Sequence, residues 1–205
     1  MKKMMFNDRY GLTQAVISGR KTVTRRVVKD AWWPIYKIEA EEIKGDIIHV
    51  IANNGKLVIE HKCPYKIGEI VAVAQCYMDL DYSGTALDRD PKDIMNVRGT
   101  LKQSAGWNNK MFVRAEACKH RIQITDLRIE RLQDISDIDC MKEGIQVEYA
   151  PNGRGGYYIY DVTRCREKWF DTPREAFASL VDKVSSKGTW DRNPFVWRIE
   201  FELVK

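Results

Sequence analysis

Residues 195–203 read Phe-Val-Trp-Arg-Ile-Glu-Phe-Glu-Leu. Phe195, Trp197, Ile199, Phe201 and Leu203 alternate with Arg198, Glu200 and Glu202, the two-residue period of a half-buried strand. Residues 121–132 alternate as well, but the apolar phase slips between Ile124 and Leu127, which predicts a bulge near Thr125-Asp126. Asp46–Ala52, Asn53-Asn54-Gly55 and Lys56–His61 read as a hairpin, and the apolar run Glu69–Tyr77 as a short buried strand. Helix signals are fewer. Asn7 or Asp8 caps a short helix carrying Leu12, Ala15 and Val16 that ends at Gly19. A second starts at Ser136 and ends at Gly144. The third has the clearest start: Thr172 as cap, Pro173 at the first helical position and Glu175 closing the box, with Phe177, Leu180, Val181 and Val184 as its apolar face. Several short strands with few helices between them predict an α+β fold, a small mixed β-barrel with flanking helices, and not a parallel α/β sheet.

The chain has 205 residues, with 44% hydrophobic and 31% charged side chains and a net charge of +5. Those values suit one globular domain over 1–205, with insertions near 31–60 and 78–110. Five scattered cysteines, an opening without a secretory-signal pattern and the lack of any long apolar run lead us to expect a cytoplasmic protein with reduced thiols and no membrane contact.

The chemistry concentrates in residues 19–29, Gly-Arg-Lys-Thr-Val-Thr-Arg-Arg-Val-Val-Lys, directly after the first helix. Arg20, Lys21, Arg25, Arg26 and Lys29 stand there without a carboxylate. Such mutual repulsion is usually tolerated in order to meet an anion, and the hydroxyls of Thr22 and Thr24 add hydrogen bonds. Arg25 and Arg26 suit phosphate or carboxylate, or an internal ion pair with Glu200, Glu202 or Asp191. Trp190, just before Asn193-Pro194, is the tryptophan expected at a pocket; Trp197 reads as core. Trp32 and Trp33 fall in a loop, Trp107 in the long insertion. His61-x-Cys63 and Cys118-x-His120 lack the usual spacing of zinc ligands, so no metal and no cofactor is expected. Gly153-Arg154-Gly155-Gly156 reads as a hairpin or loop and not as a phosphate cradle.

Four stretches together resemble the ASCH domain, of the type associated with phages and prophages. They are Gly19–Arg26, the strand entry Ile67-Gly68-Glu69-Ile70, Ile124–Ser136 with the short helix ending Glu143-Gly144-Ile145, and Trp190–Phe201. The resemblance spans nearly the whole chain apart from the two insertions. It implies a barrel similar to the PUA fold, with a cleft lined by Gly19, Lys21, Thr24 and Arg26 (or Arg25), and binding of RNA or nucleotides. It also implies that Lys21 and Thr24 would be catalytic in amidohydrolase-type relatives acting on acetylated cytidine; ribonuclease activity is ascribed to others. The family's partner glutamate is expected where this chain has Gln75, and glutamine cannot serve as a general base. Glu69, Glu116 and Glu200 are the substitutes considered.

The reading is an RNA- or nucleotide-binding module with Arg20, Lys21, Thr22, Thr24, Arg25, Arg26, Gln75, Trp190 and Asn193 at the ligand. A hydrolase of modified nucleosides, or a ribonuclease, is the alternative. A phage-derived module that contacts a protein through 78–110 is a third.

Overall fold

The computed structural model describes residues 1–28, 38–44, 47–52, 57–80, 104–149, 156–160 and 169–204, with the strands between 38 and 61 described by backbone pairing alone. Trp32, Trp33, the Gly55 turn, Gly153–Gly155 and residues 81–103 of the long insertion lie outside these residues.

Ten strands and five α-helices make a mixed α+β structure among the described residues. The strands are β1 (Lys3–Met4), β2 (Val23–Val27), β3 (Ile38–Lys44), β4 (Ile47–Ala52), β5 (Leu57–Lys62), β6 (Ile70–Val73), β7 (Arg121–Arg131), β8 (Gln146–Tyr149), β9 (Gly156–Ile159) and β10 (Phe195–Val204). The helices are α1 (Leu12–Ile17), α2 (Tyr77–Leu80), α3 (Asp137–Lys142), α4 (Pro173–Val184) and α5 (Thr189–Arg192). Five strands form the main sheet in the order β1-β6-β7-β10-β2. Only the β1–β6 pair is parallel. Strands β3-β4-β5 form an antiparallel meander, and β8-β9 a hairpin.

The long strands β7 and β10 run antiparallel, and their register shifts where Glu200 faces Asp126 while Phe201 faces Ile124. Thr125 is therefore the extra residue of the bulge, where the apolar phase slips in sequence. One expectation needs correcting. Strand β10 is half-buried only in its second half, where Phe201 is buried and Glu202 exposed; Phe195 through Ile199 are all buried, Val196 and Arg198 included. It is an inner strand of the sheet, between β7 and β2, and its first half is covered on both faces. Alternation in sequence marks which face is apolar; it does not say that the polar face meets water.

The helices follow their caps. Asn7 Oδ1 accepts from Arg9 N–H at 3.0 Å and opens a 3₁₀ turn before α1. Ser136 Oγ accepts from Asp139 N–H at 3.1 Å to start α3. Thr172 Oγ1 accepts from Glu175 N–H at 3.2 Å to start α4, and the Glu175 carboxylate reaches back to Asp171 N–H, one residue before the cap. Helix α4 buries Pro173, Ala176, Phe177 and Leu180, whereas Val181 is half-buried and Val184 exposed. The core joins Met4, Phe6, Leu12 and Val16 to the apolar residues of β6, β7, β10 and α4.

The ladders leave β1 and β2 as the edges of the main sheet among the described residues. A side chain links them. Arg26 on β2 donates from Nη2 to the carbonyl of Met5, directly after β1, and its guanidinium lies 5.7 Å from the Phe6 ring centroid.

No helix among the described residues is long and apolar enough to cross a membrane.

Candidate functional site

Chain reversals bring distant residues together. Gly19 has φ +75° and turns the chain after α1, a conformation that side chains other than glycine resist. The following residues are then fixed on three sides. Lys21 N–H donates to Ala15 O, Thr22 N–H to Lys142 O, and Phe201 N–H to Thr22 O, each at 2.9 Å. Gly144 has φ +106°, and a Cβ there would sit 3.7 Å from the Lys21 Cβ. The turn after α3 is thus laid against the residue that follows α1, and Lys21 meets Glu143 across 122 positions.

Lys21 is 2% and Glu143 4% exposed. The Lys21 amine donates to the Glu143 carboxylate and, at 2.9 Å, to the Glu143 carbonyl. Burial pulls the Lys21 amine below the usual lysine range; Glu143 opposes this, while Arg26 and Arg25 act with burial. The other Glu143 oxygen accepts from Arg25 at 3.2 Å. Arg25 also donates to Glu130 and Asp139, both at 2.7 Å. Arg198 joins the same group through Asp139 at 2.9 Å and Glu200 at 2.9 Å. Burial alone would raise the Asp139 carboxyl, but hydrogen bonds and charge from Arg198 and Arg25 outweigh it and hold it at about 2. Asp139, in the first turn of α3, and Glu143, its C-cap, are four residues apart and so share one face toward the sheet. The partners of Arg25 are these, and not the Glu200, Glu202 or Asp191 considered from sequence.

Strand alternation splits the cluster. Arg25 pairs in register with Arg198, and Arg198 with Arg128; Arg26 pairs with Trp197, and Trp197 with Ile129. Arg25 therefore faces the buried carboxylates while Arg26 faces the opposite side, with Thr24. Arg26 has no carboxylate at ion-pair distance among the described residues, and its Nε is buried without a partner. Burial lowers its pKa, opposed by Tyr65 and then Glu143.

Lys21, Thr24, Arg25 and Arg26 line a recess of about 1110 Å³. Its charged lining, among the described residues, is Lys21, Arg25, Arg26, Lys62, Arg131 and Arg192 against the single carboxylate of Glu143. The rest is largely apolar, from α4 and the start of β10. The other sequence candidates are placed elsewhere. Arg20 is exposed, Thr22 half-buried, and neither lines the recess. Gln75 is buried beyond the end of β6, with its Oε1 unpartnered. Trp190 packs edge-on against Phe177, with Arg174 over its ring. Asn193, at φ 43°, accepts through Oδ1 from Gln133 N–H at 2.8 Å. Trp190 and Asn193 thus tie the end of β7 to the start of β10, and the recess lining includes neither.

Glu143 is the residue that site reasoning missed. The helix ending Glu143-Gly144-Ile145 is legible, but nothing in the letters says which carboxylate folds back onto Lys21. The substitutes considered are engaged elsewhere: Glu69 with Lys2 at 2.9 Å, Glu116 with the N-terminal amine at 3.2 Å, and Glu200 with Arg198.

Comparisons with protein-family models, with curated proteins and with solved structures give no match for this chain.

Proposed function

We propose that this chain is an ASCH-type, PUA-like module that holds RNA or a nucleotide in the recess between β2, β10 and α4. The carrying observation is that three guanidiniums, those of Arg26, Arg131 and Arg192, line the recess without being spent on an internal ion pair among the described residues. Arg26, Arg131 and Arg192 lack a carboxylate partner among the described residues, so their charge is available to an incoming anion. The link from Arg26 to Met5 supports a barrel-like sheet. Five flat strands would hold their edges about 19 Å apart, beyond an arginine's reach, so strong curvature accounts for the contact.

The test is single-stranded RNA binding to the full chain at several salt concentrations. Affinity is expected to fall with a log–log slope of about −0.7 per phosphate contact. Binding that is absent, or indifferent to salt, overturns the reading.

A second reading is favoured by Glu143. Gln75 cannot supply a base, but Glu143 brings a carboxylate against the Lys21 amine in the recess that Thr24 also lines. In this reading the Lys21–Glu143 pair takes a proton from a water that the Thr24 hydroxyl orients, the hydroxide adds to the amide carbonyl, and the proton passes to the leaving amine as the C–N bond breaks. Turnover of acetylated cytidine by the chain, lost in Lys21→Ala and in Glu143→Gln while ligand binding persists, supports the hydrolase. A wild-type chain that binds without turnover leaves the binding module alone standing.

A further inference from the structure

Two guanidiniums of the recess lie outside residues 19–29 and are unexplained by the packing alone. Arg131 ends β7 and Arg192 ends α5. They are linked through the backbone: Arg131 donates from Nη1 to the carbonyl of Asn193, the residue after Arg192, at 3.3 Å. The Arg131 guanidinium lies over Phe195, 3.5 Å from the ring centroid, which holds it in place while leaving it without a carboxylate partner among the described residues. Arg192 donates from Nη2 to Ser186 Oγ at 3.1 Å and to Thr189 Oγ1 at 3.0 Å. Those two hydroxyls are 2.9 Å apart and both line the recess. Asp182 feels the charge of Arg192, but its oxygens accept from Gly188 and Trp190 N–H.

This group is separate from Arg26. Arg26, Trp197 and Ile129 are in register across β2, β10 and β7, and Arg131 lies two residues beyond Ile129 on the same face. Two strand spacings and two residues put the Cα atoms of Arg26 and Arg131 about 12 Å apart. The side chains are tied to different walls, Arg26 to Met5 and Phe6, Arg131 to Phe195 and Asn193. The volume, about 1110 Å³, also exceeds what a nucleoside needs.

We infer that Arg131, Arg192, Ser186 and Thr189 form a second anion subsite, and that the recess takes a nucleic-acid strand of at least two phosphates, not a lone nucleotide. The inference rests on the proposed recess function and adds its ligand class.

The test compares a single-stranded RNA of about ten nucleotides with a nucleoside monophosphate, on the wild-type chain and on Arg192→Gln, Arg131→Gln and the double variant. The exposed Arg192 is the primary site because its loss leaves the core untouched. Wild type is expected to bind the strand more tightly than the monophosphate. Each single variant should flatten the salt slope for the strand, and the double variant should flatten it by about 0.7, the loss of one phosphate contact. A strand that binds no better than the monophosphate, or an unaltered slope in Arg192→Gln, overturns the second subsite and leaves the recess function intact. If neither ligand binds the wild type, both readings fall together.

Discussion

Arg25 and Arg26 are consecutive residues of one strand with opposite surroundings. Arg25 is buried among three carboxylates, Glu130, Asp139 and Glu143. Arg26 turns to the other face, where it meets a carbonyl and an aromatic ring. Period-two alternation alone separates them. Cations adjacent in sequence are therefore not a patch when they lie on a strand: half belong to one face, and each face settles its own charge. Here one face has closed its electrostatics internally and the other has not.

Removing Arg25 should give the largest effect. Arg25→Ala leaves three carboxylates short of their common partner, and breaking a buried pair destabilises by about 3–5 kcal/mol. Chemical denaturation is the measurement; a loss under about 1 kcal/mol would mean that water reaches this group and that the two faces are less different than described. Arg26→Gln inverts the pattern. One carbonyl contact and one ring contact are lost, on the order of 1–2 kcal/mol together. Its main expected effect is on RNA affinity and salt slope, because its charge is not used internally. A variant that binds RNA like wild type but unfolds like Arg25→Ala would erase the contrast.

Acid sharpens the same comparison. Asp139 titrates near 2 in the folded chain against an ordinary value of 3.8. A carboxyl with a depressed folded value stabilises above its unfolded value, and that contribution is lost as pH falls from about 4 to about 2. Stability of the wild type should drop across this window. Asp139→Asn, already weaker at neutral pH, should drop less there, since the titrating group is gone. An equal slope for both proteins would place the acid-sensitive group elsewhere.

The sequence carried the fold's elements further than its site. The alternation in 195–203 and 121–132, the phase slip at Thr125 and the Thr172-Pro173 start depend on neighbours a few positions away, and each appears where expected. Strand β3 does not announce itself: Ile-Glu-Ala-Glu-Glu-Ile-Lys favours helix locally, and its pairing with β4 decides its conformation. The site depends on contacts over 105 to 122 positions, which no local period encodes. Lys21, Thr24 and Arg26 are named by the basic run. Glu143 is not, because a carboxylate at the end of a short helix looks solvated until tertiary packing turns it inward. Gln75, Trp190 and Asn193 are polar or aromatic letters near the right strands, and the structure uses the last two to tie the end of β7 to the start of β10.

Arg20 offers the smallest effect and the cleanest control. It opens the same basic run, is exposed, and lies outside the recess lining. If local charge density alone drew RNA, Arg20→Ala would flatten the salt slope as much as Arg26→Gln. If facing and enclosure decide, it should leave stability within about 0.5 kcal/mol of wild type and RNA affinity close to unchanged, because an exposed charge is screened within about 10 Å at moderate salt. Affinity measured at low and moderate salt separates these outcomes. An effect of Arg20→Ala confined to low salt marks long-range steering, whereas one that persists at moderate salt would extend the ligand's path beyond the recess, over the turn after α1.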